Sequence, residues 1–153
     1  MKRILVALML MLALFVPVAS ADIVSDLGNK VDEYNQNAGY VPSYLKALLG
    51  EEVIQLVIVT DEGDERYIKV VTEDSYITAF EEVDKDTEFN ATMVVGVNEA
   101  TARTIINSQD PLDEFIAAKD NGEIVIEPVG LVNTVKYTVA NVVMEVSQLF
   151  GFI

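Results

Sequence analysis

Apolar and polar positions change period several times along this chain, and each change is punctuated. From Asp22 to Asn37, residues Ile23, Val24, Leu27, Val31 and Tyr34 fall at helical spacing, which predicts an amphipathic helix. Asn37-Ala38-Gly39 ends it, and Pro42 suits the first turn of a short second helix, Ser43 to Leu49, closed by Gly50. The pattern then turns to strands. Val53 to Thr60 (VIQLVIVT) is β-branched and nearly all apolar, as befits a central strand covered on both faces. Asp61-Glu62-Gly63-Asp64-Glu65 turns the chain into a second strand, Arg66 to Thr72. Glu73-Asp74 leads to a third, Tyr76 to Val83, and Asp84-Lys85-Asp86 to a fourth, Phe89 to Val97. Connections this short predict antiparallel neighbours.

Helical spacing returns after Val97. Asn98 is a good N-cap for a helix whose inward side is Ala102, Ile105 and Ile106. Asp110-Pro111 closes that helix and opens another, with Pro111 at its first position and Leu112, Phe115 and Ile116 inward. Asn121-Gly122 ends it, and Glu123 to Glu127 reads as a fifth strand. Gly130 breaks the chain before a last helical stretch, Leu131 to Phe150. There Val132, Val135, Val139, Val142, Val143, Val146, Leu149 and Phe150 make one broad stripe. Valine is a mediocre helix former, so this helix must draw its helicity from tertiary contacts. With no internal repeat, low-complexity tract or linker, the pattern is that of one α+β domain.

The first 21 residues stand apart. Lys2-Arg3 is a basic start, Ile4 to Val18 is apolar, and Ala19-Ser20-Ala21 fits a small-x-small cleavage site, the form of a secretory signal peptide. Its 15-residue apolar core is shorter than the roughly 20 residues of a spanning helix; an uncleaved membrane anchor is the alternative. The expected mature chain, 22–153, is a single secreted or otherwise extracytoplasmic domain of 132 residues, long enough to bury a core. Without cysteine it has no disulfide and no lipoprotein acylation site. All 25 acids lie downstream of the signal, so its loss takes the formal charge from −15 to −17. Nucleic acid and anionic lipid surfaces repel such a chain. No nucleic-acid partner is expected, and solubility is the plain reason for the acidity.

The absence of His, Cys and Trp removes Ser-His-Asp and Cys-His nucleophilic systems and His-based metal centres. The acidic turn from Asp61 to Glu65 lacks the alternating spacing and distal glutamate of a calcium loop, so it reads as a solvated hairpin turn. Glu81-Glu82, Asp84 and Asp86 read as a charged strand edge that discourages sheet pairing, in preference to a pair of glycosidic acids. The eight glycines are scattered and form no phosphate loop. No catalytic residue, metal or cofactor is expected, and the chain reads as a non-enzyme.

Between Ala91 and Gly130 the local signals keep a particular order. An Ala-Thr-Met-Val strand runs into Val97-Asn98-Glu99; Ile105-Ile106-Asn107-Ser108-Gln109-Asp110-Pro111 follows; then come Phe115-Ile116-Ala117-Ala118-Lys119, Gly122-Glu123-Ile124-Val125-Ile126 and Gly130. This run, with the order helix, four-strand meander, two short helices, fifth strand and C-terminal helix, resembles the sterol carrier protein 2 family. The resemblance implies a five-stranded, mostly antiparallel sheet with helices packed on one face. It also implies an apolar tunnel for fatty acyl chains, sterols or other lipids, with the C-terminal helix helping to line it. Two departures are clear. The family usually has a basic fifth strand where this chain has Glu123 and Glu127, and it is mostly intracellular, whereas this chain carries an export signal. Both weigh against acyl-coenzyme A as the ligand.

The last helical stripe therefore has two readings. It is core throughout, or it is the wall of a tunnel lined by Ile105, Phe115, Ile116, Val135, Val139, Val142 and Val143, with Tyr137 or Met144 at the mouth. The expected function is sequestration of an apolar small molecule (lipid, fatty acid or sterol) by an exported, non-enzymatic domain. The alternative is a cell-surface structural or interaction protein with a filled core. It would be attached or assembled through the N-terminal hydrophobic segment or the apolar end Leu149-Phe150-Gly151-Phe152-Ile153, which also suits a peripheral membrane or cell-surface contact.

Overall fold

The computed structural model describes residues 22–41, 43, 46–47, 50–130 and 135–149. Residues 1–21, read as a signal peptide, most of the helix read over Ser43 to Leu49, the start of the last helical stretch and the apolar end after Leu149 lie outside the described residues. The elements in chain order are helix α1 (Ile23–Asn37) with a single 3-10 turn (Ala38–Tyr40), then β1 (Val53–Val59), β2 (Glu65–Glu73), β3 (Tyr76–Val83) and β4 (Met93–Asn98). Helices α2 (Glu99–Asn107) and α3 (Pro111–Asp120), strand β5 (Ile124–Pro128) and helix α4 (Val135–Leu149) follow. Among the described residues, no helix is long and apolar enough to cross a membrane.

The five strands form one sheet in the order β3-β2-β1-β4-β5. Pairing is antiparallel throughout except between β1 and β4, which run parallel. The α+β class and the mostly antiparallel five-stranded sheet are as read from the sequence; the meander is not. It stops after three strands, and β4 begins at Met93, four residues later than expected. Residues 84–92 carry the chain from the β3 edge across to the free side of β1. A strand as apolar as β1 gains by pairing on both sides, and the polar stretch Asp84-Lys85-Asp86-Thr87-Glu88 is long enough to reach over.

The helices do not share one face. Ile54 and Ile58 of β1 belong to a core cluster with Ile23 and Val24 of α1, Ala102 and Ile106 of α2, and Ala118 of α3. Val57 and Val59 point the other way, into a second cluster with Val94, Val125, Val142 and Val146. Helices α1, α2 and α3 thus cover one face and α4 covers the other. The alternation of side chains along a strand makes this necessary: β1 is apolar at consecutive positions, so both faces of the sheet need a cover. The doubly covered strand read in Val53 to Thr60 is the correct reading, and the single helical layer implied by the resemblance is corrected.

Side chains tie α1 to the other elements. Asp22 caps it by accepting from Val24 N at 3.1 Å, and the same carboxylate receives both terminal nitrogens of Arg66, at 3.1 and 3.0 Å. The Arg66 Nε donates to Glu82 at 2.6 Å. Arg103 of α2 reaches Asp26 at 2.9 Å and Glu99 at 2.8 Å. At the far end of α1, the Asn35 amide donates to Ile77 O at 2.9 Å and accepts from Ile77 N at 2.8 Å. That doubles as protection for the open edge of β3. The β2–β3 turn uses Asp74 and Ser75 at φ of 50° and 70°, the left-handed geometry a tight two-residue hairpin needs.

Arg66, together with the Val24 amide, holds the Asp22 carboxyl below the usual aspartate range. A carboxylate whose folded pKa is lowered adds stability above its unfolded value and loses it as pH falls through the folded one. The acid limb of a melting-temperature profile, below about pH 4, should therefore flatten in Asp22→Asn relative to wild type.

Strand β4 passes directly into α2 through Asn98, whose Oδ1 accepts from Thr101 N at 2.8 Å. Asn98→Ala should cost about 1 kcal/mol, read as a lower urea midpoint at unchanged slope.

Candidate functional site

Helix α4 sits over β1, β4 and β5, and its contact with the sheet is uneven. Val142 and Val146 are fully buried against the Val57, Val94 and Val125 face. Gly96 makes this closeness attainable: a Cβ there would stand 2.2 Å from Val142 Cγ1 and 3.0 Å from Val146 Cγ2. Towards β2 the packing opens out. A cleft of about 690 Å³ opens there, with Val135, Val139, Ala140 and Val143 as one wall, Gln55 and Tyr67 as floor, and the crossover from Lys85 to Asn90 opposite. This volume falls in the usual range for small-molecule sites, about 300–1,000 Å³. Two other depressions, of about 450 and 470 Å³, are lined mostly by charged and polar residues near Arg66 and Arg103.

The apolar wall and Phe89 face a polar border. The Tyr67 hydroxyl donates to Glu65 Oε2, and Lys85 Nζ lies 3.6 Å from the same carboxylate. Burial first, then the Glu65 carboxylate, push the Tyr67 phenol well above the usual tyrosine range, so it stays protonated as a donor. Lys69, the register partner of Gln55, stands 5.5 Å from the Phe89 ring centroid and 3.8 Å from Glu81. This cation–π contact helps hold the crossover against the sheet. Gln55 is 4 % exposed. Its amide opens into the cleft, and it makes no side-chain hydrogen bond with any described residue.

Of the seven residues expected to line a tunnel, Val135, Val139 and Val143 line this cleft. Val142 is spent on the packed seam over Gly96. Ile105 and Phe115 pack with the cluster on the opposite face of the sheet, and Ile116, half-buried on α3, is not part of the cleft lining either. The sheet stands between the two groups, so they do not share one cavity. Met144 is exposed and away from the cleft; of the Tyr137 side chain nothing is described. Gln55, Tyr67 and the crossover were not anticipated, although Gln55 stands out as the one polar residue in Val53–Val59. The acids named from sequence have other duties: Glu82 and Glu81 meet Arg66 and Lys69. The Asp61–Glu65 segment is a hairpin turn closed by Thr60 N to Asp64 O at 2.8 Å.

No protein-family model matches the sequence, and no curated protein matches it. The chain is similar to sterol carrier protein 2 structures. With the crystal structure of sterol carrier protein 2 like 2 from Aedes aegypti it shares 12% identity over 86% of this chain and 99% of that one, at a TM-score of 0.40. A crystal structure of sterol carrier protein 2 matches at 14% identity, 78% and 88% coverage and a TM-score of 0.42. The solution structure of palmitated sterol carrier protein 2 like 2 from Aedes aegypti matches at 14% identity, 71% and 83% coverage and a TM-score of 0.40.

Proposed function

We propose that this chain is an exported, non-enzymatic domain that binds a lipid, with the apolar portion held between α4 and the β1–β2 floor. The observation that carries the reading is the cleft itself: α4 packs tightly on Gly96, and about 690 Å³ opens beside Val139, lined also by Gln55 and Tyr67. An acyl chain or sterol entering it leaves water for Val135, Val139, Val143 and Phe89. Each buried methylene contributes about 0.8 kcal/mol, set against several kcal/mol of lost freedom on association. Export is proposed on the form of residues 1–21, and the acidic, cysteine-free mature chain suits an extracytoplasmic carrier.

Titration of the purified chain with a fluorescent acyl probe tests the reading. Saturable binding is expected in wild type, and Val139→Trp, which fills the cleft from its wall, should weaken it about tenfold or more. The melting temperature is the control for folding. Because the chain has no other tryptophan, the introduced indole also reports whether it sits in an apolar setting. Absence of saturable binding in wild type would leave the filled-core, cell-surface reading in its place.

A further inference from the structure

We infer that the α4 cleft selects lipids with an uncharged hydrogen-bonding head group, such as a hydroxyl, which pairs with the Gln55 amide, and that it disfavours carboxylates and phosphates. This deepens the lipid-binding reading and rests on it. Gln55 is the starting point. It sits mid-sheet on β1, flanked by Val94 on β4 and Lys69 on β2 in register, and only 4 % of it is exposed. Its side-chain amide has no hydrogen-bond partner among the described residues and opens into the cleft. The amide is reached from the cleft, so both its donor and its acceptor are open to a ligand. A hydroxyl, also both donor and acceptor, answers it on both counts, whereas a carboxylate can only accept.

The charges around the amide point the same way. The described lining residues include three carboxylates, Glu65, Asp86 and Glu88, against one ammonium, Lys85. Lys85 already faces Glu65 at 3.6 Å. Lys69, the register partner of Gln55 on β2, lies 3.8 Å from Glu81 and 5.5 Å from the Phe89 ring centroid. An anionic head group would meet this acidic border without a described lining cation left to neutralise it, and the net charge of the whole chain, −15, adds long-range repulsion.

The test compares two probes with the same sixteen-carbon acyl chain, 1-monopalmitoylglycerol and palmitate. Each is titrated by calorimetry at about pH 8, where the free fatty acid is ionised, against wild type and Gln55→Leu. Wild type should bind the monoacylglycerol about tenfold tighter than palmitate. Gln55→Leu should weaken the monoacylglycerol about tenfold and leave palmitate within about twofold. If Gln55→Leu does not fold, Gln55→Met, closer in shape, carries the same comparison. Palmitate binding as tightly as the monoacylglycerol, or a Gln55 variant that weakens both or neither, overturns the head-group inference while lipid binding stands. No saturable binding of either probe overturns both.

Discussion

Gly96→Ala is expected to cost about 1–3 kcal/mol and to loosen α4 from the sheet. The new methyl would lie 2.2 Å from Val142 Cγ1 and 3.0 Å from Val146 Cγ2. Both opposing side chains are β-branched valines, and a helix leaves such residues one strongly preferred rotamer. The clash therefore cannot be relieved by a small swing of a flexible side chain; the helix has to lift or Val142 must leave its well. Removing the opposing group separates this cause from any other. Val142→Ala alone deletes a fully buried side chain and should cost about 2 kcal/mol. The double variant should be markedly less unstable than the sum of the two single changes. Urea denaturation of the four proteins gives the coupling directly; strict additivity would show that the seam is not close-packed.

Ile68→Ala should have the larger effect on stability, about 2–5 kcal/mol. Ile68 is wholly buried in β2, in the cluster under α1, α2 and α3. It lies between Leu56 of β1 and Glu82 of β3 in register, so no loop can collapse into the space left behind. The chain has no cysteine and hence no disulfide to limit the entropy of its unfolded state. For a domain whose whole stability is of order 5–15 kcal/mol, such a loss moves the urea midpoint a long way. A loss of less than about 1 kcal/mol, well below the range for deleting a buried isoleucine side chain, would mean that this cluster is not the main core.

Local signals in the sequence were accurate where the physics is local. β3 spans Tyr76–Val83 between the turns that mark it, Asn98 caps α2, and Pro111 opens α3 behind the Asp110 cap. The non-local features were harder. Helical spacing marks Ile105 and Val139 equally as inward-facing, yet it does not say which face of a two-sided sheet each will cover. That is why one proposed lining set joined residues that the sheet separates. The crossover over residues 84–92 was missed for a related reason. Its polar stretch reads as a tight turn until one asks which strand pairs with the second edge of β1. Gln55 was visible throughout as a single polar letter in VIQLVIV. Its meaning depended on the cleft it shares with α4, and only tertiary packing decides that.

The central claim is that lipid enters between α4 and β1–β2, and methyl-resolved NMR of isoleucine- and valine-labelled protein tests it most directly. On addition of 1-monopalmitoylglycerol, saturable shifts are predicted at the methyls of Val135, Val139 and Val143, which line the cleft. Ile105, on the far face of the sheet, should stay in place. Shifts centred on Ile105 and Ile106 with Val139 unmoved would put any ligand on the opposite face, and would contradict the account.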